Sequence, residues 1–238
     1  MHQYFCEEEI RIGKCYEFTK EQAHHAGTVL RMNEEEVRLV HDGKGYFAMV
    51  HTEGKRVYAD VLREDERYNE LPVEVTLCMA LIRREKMEFV LQKAAEIGVT
   101  KIVPFESSRC VVHARKEKSD KQLIRQKTIL QEAAAQCKRN RVPALTEVVK
   151  FADIFQVEGD VHMAAYENAY GSAKRITDHL ENGRSVVVAI GPEGGFSQEE
   201  VEELSAHGYI PVTLGKRILR AETAALYACS VISEFFGE

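Results

Sequence analysis

The chain has 238 residues, a formal net charge of −6 and a hydrophobic fraction of 45%. This is the make-up of a globular protein with room for one large domain or two modest ones. It excludes a uniformly basic nucleic-acid binder, yet the charge is uneven. Residues 1–70 hold 10 Lys/Arg against 15 Asp/Glu, whereas residues 109–141 hold 10 against 3. A basic stretch in an acidic chain is either a solvated helix face or a footprint for phosphate. The six cysteines, at 6, 15, 78, 110, 137 and 229, show no C-x-x-C spacing and no attendant histidine cluster, so no metal site is expected. The start "MHQYFCEEEIRIG" has no basic n-region and no long apolar run, and no apolar stretch reaches membrane-spanning length. A cytoplasmic chain with reduced thiols is expected.

The first 70 residues read as short strands and turns. "TKEQAHHAGTVLRM" predicts one short helix, with Thr19 as N-cap and Gln22 three residues later. Asp42-Gly43 between two β-rich runs predicts a hairpin, and "KRVYADVLRE" a further strand. A small β-barrel-like domain over residues 1–70 follows, with the polar "ERYNELP" as its exit. After Pro72 the texture changes. "VEVTLCMAL", "KIVPF", "VHMAAYE", "SVVVAI" and "YIPVTL" are short apolar runs of the kind buried in parallel sheets. Between them lie "REKMEFVLQKAAEIGV", helical in spacing and capped by Gly98, and the long basic helix "SDKQLIRQKTILQEAAAQCKRN". The last helix, "AETAALYACSVISEFF", is apolar nearly all round and must be covered on most sides. Strands alternating with helices over residues 71–238 predict an α/β domain with a mainly parallel sheet.

Two strand ends carry unusual loops. In "VVVAIGPEGGFSQEE" an apolar strand stops at Gly191, followed by Pro192, Glu193, Gly194 and Gly195, before Ser197 and Glu200 open a helix with a capping box. The glycines let a ligand approach the main chain, and the carboxyl end of a strand is where open α/β sheets bind ligands. The loop is neither a P-loop nor G-x-G-x-x-G. Glu193 disfavours phosphate and favours a ligand with a positive centre or with hydroxyl and amino groups. A tight strand–helix turn is the plainer reading. In "YIPVTLGKRILRAETAAL", Gly215 again follows a strand, while Leu214, Ile218 and Leu219 offer apolar walls for a flat ring. Arg220 and Glu222 stand just before the last helix, where Glu222 also suits the positive end of the helix.

"GPEGGFSQEE" together with "LGKRILRAETAAL" closely resembles the RsmE family, S-adenosylmethionine-dependent methyltransferases of the SPOUT class that methylate N3 of a uridine in small-subunit (16S) ribosomal RNA. "EFVLQKAAEIGV" with "IVPFESSRC", "EAAAQCKRNRVP", and "HAGTVLRM" with "VHDGKG" match further family stretches, so the resemblance covers nearly the whole chain. Ser108 and Ala135 depart from it, standing where the family usually has an acid and often has Glu.

The resemblance implies a PUA-like RNA-binding domain over residues 1–70 and a SPOUT domain with a trefoil knot over 71–238. It also implies an obligate homodimer that buries the last helix. S-adenosylmethionine (SAM) would be held by Gly191 to Gly195 and Leu214 to Leu219, including Gly215 and Ile218, with Tyr166 closing a third side. Methylating uridine N3 needs cations to stabilise the anion of the base, and Arg220, Arg139 and Arg109 are the candidates, each with a structural ion pair as its alternative. Glu222 or solvent would take the proton. Cys137 reads as a packed thiol. His25 and Arg31, with the basic 109–141 stretch, are candidates to grip 16S RNA or the assembled small subunit. A knotted methyltransferase acting on another RNA, or a non-catalytic RNA-binding assembly factor, are the competing readings. Without a P-loop, a nucleotide hydrolase is not expected.

Overall fold

Two units share the chain: Met1–Glu70 with Ala134–Arg141, and Leu71–Ala133 with Val142–Glu238. The structure, a computed structural model, describes residues 1–54, 56–113, 119–166 and 174–237.

The first unit is built on a five-stranded sheet in the order β1-β3-β4-β5-β2. The strands are β1 Gln3–Phe5, β2 Cys15–Glu17, β3 Glu35–His41, β4 Lys44–Glu53 and β5 Arg56–Asp65. The sheet is open, with β1 and β2 at its edges, where a barrel-like closure was expected. The Asp42-Gly43 hairpin forms as the sequence predicts, with His41 opposite Lys44 and both turn residues at positive φ. Thr19 caps α1, Lys20–Ala23, in a full capping box with Gln22. The helix then widens into a π-helical stretch, His24–Val29, that periodicity does not reveal. Period-two alternation buries Val37, Leu39, Ala48, Val50, Val57, Ala59 and Val61 on one face.

The other face of β3 carries Arg38, which is fully buried. Its guanidinium donates to Asp65 Oδ2 (2.7 Å), Gln3 Oε1 (2.8 Å), Asn140 Oδ1 (3.3 Å) and the carbonyls of Lys138 and Arg139. Asn140 in turn donates to the Gly43 carbonyl and accepts from the Asn69 N–H. Ala134–Arg141 is thereby held by side-chain chemistry rather than by apolar burial, which is why hydrophobic patterning gave no hint that it belongs to this unit.

The second unit has an all-parallel sheet in the order β12-β10-β11-β6-β7-β8, with β9 also pairing β7. Its strands are β6 Val75–Ala80, β7 Lys101–Glu106, β8 Ala144–Leu145, β9 Val149–Lys150, β10 Val161–Ala165, β11 Val186–Ile190 and β12 Ile210–Val212. The central β6 and β11 are buried at every position, as their unbroken apolar runs require. The helices are α2 Arg84–Ile97, α3 Ser119–Gln136, α4 Gln198–Ala206 and α5 Ala221–Phe236. Gly98 ends α2 with φ 103°, the left-handed cap the sequence predicts. On α5, Ala221, Ala225, Ala228, Cys229, Ile232 and Phe236 are buried, while Tyr227 and Phe235 are about half exposed. The apolar character all round this helix therefore exceeds what one chain covers. No helix among the described residues is long and apolar enough to cross a membrane.

Candidate active site

The strand order sets β12, β10 and β11 side by side and parallel, so the loops that follow them emerge at one edge of the sheet. Two of these are the glycine-bearing segments singled out above, and the third begins at Tyr166. The residues after it, 167–173, lie outside the described residues, as do Arg115, Lys116 and Lys118 of the basic stretch.

The Gly191–Gly195 loop is shaped by three different demands. Gly195 takes a left-handed φ of 66°. Gly191 is needed for space, since a Cβ there would lie 3.0 Å from the Phe196 amide nitrogen. A Cβ on Gly194 would sit 3.3 Å from Arg109 Cβ. Phe196, almost fully buried, anchors the loop by stacking on Phe105 at 6.2 Å and 7°.

The loop is also pinned from the side by the turn after β7. Arg109 Nη1 donates to the Gly194 and Phe196 carbonyls at 3.2 and 3.3 Å. The buried Glu200 completes the Ser197 capping box and accepts from Ser108 N–H (2.8 Å) and Ser107 Oγ (3.2 Å). Glu200 thus ties two strand ends together. Ser108 contributes through its main chain, so the missing acid at this position costs the anchorage nothing visible.

The second loop forms a slot. Ala165, Tyr166, Leu214, Gly215, Leu219 and Ala224 line a cavity of about 100 Å³, and Ile218 stands at its rim, 87% exposed. Gly215 needs its glycine, with φ 107°. Tyr166 donates its hydroxyl to Gln198 Oε1 at 3.0 Å, linking this slot to the start of α4. Apolar walls beside exposed main chain suit a flat heteroaromatic ring.

Charged groups gather at the start of α5. Arg220 is the N-cap residue of α5 and exposed, with no ion pair among the described residues. Glu222, in the first turn of α5, is mostly buried. Burial alone would raise its pKa, but its own backbone N–H, the Lys86 ammonium and Arg220 together hold it below the ordinary carboxylate value. Lys86 Nζ lies 3.1 Å from Glu222 Oε2 and 3.9 Å from Glu193 Oε1. Lys86 is absent from the sequence-based candidates. Its signal is a cation in the first turn of α2, where acids are the norm.

The structure separates the remaining candidates. Arg139 belongs to the first unit and is buried in an ion pair with Glu70. This gives it the structural task that was the alternative to catalysis. Arg109 is spent at least in part on loop carbonyls. Cys137 is half-buried, with Sγ 3.7 Å from the Ala134 carbonyl. His25 Nδ1 shares a 3.0 Å hydrogen bond with Tyr4 Oη, and Arg31 is exposed with φ 55°. Among the described residues no group of His, Cys, Asp or Glu is arranged to hold a metal.

A family model described as "RNA methyltransferase domain" matches residues 69–233. The ribosomal RNA small subunit methyltransferase E of Bacillus subtilis (strain 168) is 33% identical over 246 residues, covering 98% of this chain and 96% of its own. The chain belongs to the ribosomal RNA small subunit methyltransferase E family. A member of that family from Neisseria gonorrhoeae, solved bound to S-adenosyl methionine, superposes with a TM-score of 0.90 at 29% identity over 99% of this chain and 98% of that one. A methyltransferase from Legionella pneumophila, solved with bound SAM, gives 0.89 at 33% identity over 98% and 97%. Both glycine-bearing segments fall inside the matched residues.

Proposed function

We propose that this protein transfers the methyl group of SAM to N3 of a uridine in small-subunit ribosomal RNA. The observation that carries the reading is the convergence of three loops at adjacent strand ends: a glycine loop folded back tightly on itself at Gly191, an apolar slot between Tyr166 and Leu219, and an exposed arginine at the start of α5. Relatives over nearly the full chain support the same reaction class and substrate.

The residues fit the cofactor. The slot lined by Leu214, Leu219 and Ala224, with main-chain groups of Gly191–Gly195 and Leu214–Leu219, would hold SAM, and Tyr166 would close one side. SAM supplies an electrophilic methyl on a sulfonium. Arg220 stabilises the negative charge that develops on the uracil oxygens as N3 loses its proton. Glu222 would accept that proton, while SAM, when bound, would supply the methyl and leave as a neutral thioether. The enzyme's remaining task is alignment of base and methyl, which the pinned loops serve. The target uridine must leave its stack to reach this edge of the sheet.

The first unit is read as a PUA-like RNA-binding module, in which His25 and Arg31 contact RNA together with the basic residues of 109–141. The second is read as a trefoil-knotted SPOUT domain. The half-exposed Tyr227 and Phe235 on α5 support a homodimer in which a second copy covers this helix. A ribosomal RNA substrate supports a cytoplasmic location. Titration calorimetry with SAM tests the cofactor half. Saturable binding is expected, abolished by Gly191→Val in a chain whose circular dichroism is unchanged. No binding to the wild-type protein would overturn the reading.

A further inference from the structure

Lys86 stands where a helix disfavours a cation. The first turn of α2 presents the positive end of the helix dipole, and Arg83, its N-cap, offers no side-chain cap. The Lys86 side chain is nonetheless two-thirds covered, and its ammonium faces two carboxylates at 3.1 and 3.9 Å. Glu193 comes from the glycine loop after β11 and Glu222 from the first turn of α5. One lysine therefore joins the two segments assigned above to cofactor binding and to proton transfer. An isolated surface pair would carry little weight. Here a single cation lies within 4 Å of two acids drawn from two different segments.

We propose that Lys86 is the positioning residue of the transfer site, fixing Glu193 and Glu222 in one arrangement and keeping Glu222 a carboxylate able to receive the N3 proton. The inference rests on the reading of Glu222 as proton acceptor. Among the described residues, the groups that face Glu222 are few. Lys86 reaches it from α2, and Arg220 from the start of its own helix. Glu193 stands across Lys86 from it. Besides α2, α5 packs on β6, β11 and the 3-10 turn Ile176–His179. Strand β11 carries no titratable group and β6 only Cys78, whose thiol burial pushes up to about 12 and so keeps neutral. The turn, which bears Asp178 and His179, meets later turns of α5: its Thr177 lines a hollow with Tyr227, Val231 and Phe235.

Removing the ammonium removes one cause of the lowered Glu222 pKa, so that pKa rises. A reaction that needs the carboxylate then fails at a higher pH than before. The test is kcat/KM for transfer from SAM to small-subunit RNA, measured from about pH 3.5 to about pH 8 on wild type, Lys86→Met, Lys86→Arg and Glu222→Gln. Lys86→Met is expected to move the acidic limb up by about one unit, lowering kcat/KM on that limb about tenfold, with kcat falling more than KM for SAM changes. Lys86→Arg is expected to return the limb close to its wild-type position, which a merely structural contact would not predict. Glu222→Gln is expected to abolish it. If Lys86→Met does not fold, Lys86→Gln reads the same limb. If Glu222→Gln removes the limb while the folded Lys86 variants leave it in place, the positioning role is wrong and the acceptor reading survives. If Glu222→Gln itself keeps the wild-type limb, the acceptor reading is wrong and this inference falls with it.

Discussion

Arg139 Nε donates to Glu70 Oε2 at 3.1 Å, and both side chains are 3% exposed. Glu70 also accepts the main-chain N–H groups of Asn140 and Arg141 at 2.8 and 3.0 Å. A residue expected at the reacting base thus also helps hold Ala134–Arg141 in the first unit. Breaking a buried pair leaves an uncompensated charge, at a cost of about 3–5 kcal/mol. Arg139→Ala and Glu70→Ala should each lose stability of that order in urea denaturation, with near wild-type turnover per folded molecule. A fully stable Arg139→Ala protein without turnover would return Arg139 to the chemistry.

Arg220 should behave in the opposite way. Its side chain makes no capping bond to α5 and is exposed, so its removal disturbs little structure. Arg220→Ala is expected to lower kcat by about 10²–10³-fold, the scale of losing one charge-stabilising donor. SAM affinity, read by calorimetry, should stay within about threefold of wild type. A large loss of SAM affinity with kcat intact would make Arg220 a cofactor ligand instead.

The contrast between these two arginines shows what the sequence reveals and what it hides. The parallel sheet was legible because β6 and β11 are uninterrupted apolar runs. The glycine loops were legible because Gly195 and Gly215 adopt φ values that side chains resist, and Gly191 has no room for one. Charged partners were not legible. Arg38, Asp65, Glu70 and Asn140 are polar letters with no periodicity, and they meet only after distant stretches of chain are brought together. Lys86 was missed for the same reason, since its partners lie 107 and 136 positions further on. The five strands of the first unit were anticipated only loosely, because short alternating strands do not say whether a sheet closes.

Glu200 is expected to act through the loop it anchors. It accepts from Ser107, Ser108 and Ser197 while buried, and hydrogen bonds to a charged group contribute about 1.5–3 kcal/mol each. Glu200→Ala should therefore destabilise the protein by at least about 2 kcal/mol in thermal or urea melts and weaken SAM binding. Arg109→Ala, which frees only the Gly194 and Phe196 carbonyls, should weaken SAM binding with little change in kcat at saturation. A kcat collapse in Arg109→Ala with unchanged SAM affinity would instead place Arg109 at the base.

Acid should loosen the first unit through Asp65. Hydrogen bonds from Arg67, and then from Arg38, hold its carboxyl at about 2, against burial that would raise it. A depressed carboxylate stabilises the fold fully above its unfolded value near 4, and that stability is lost as pH falls through the folded value. The gap in urea midpoint between wild type and Asp65→Asn should be widest at neutral pH and narrow between about pH 4 and about pH 2. A gap that is constant with pH would show that the Asp65 charge contributes nothing.

Transfer itself is the most direct test. The protein is incubated with labelled SAM and small ribosomal subunits from a strain lacking its own gene, and the label is mapped by nucleoside mass spectrometry. The account predicts label on N3 of one uridine in the small-subunit RNA. Label on a different atom or a different RNA, or SAM binding without transfer to either subunits or naked RNA, would contradict it.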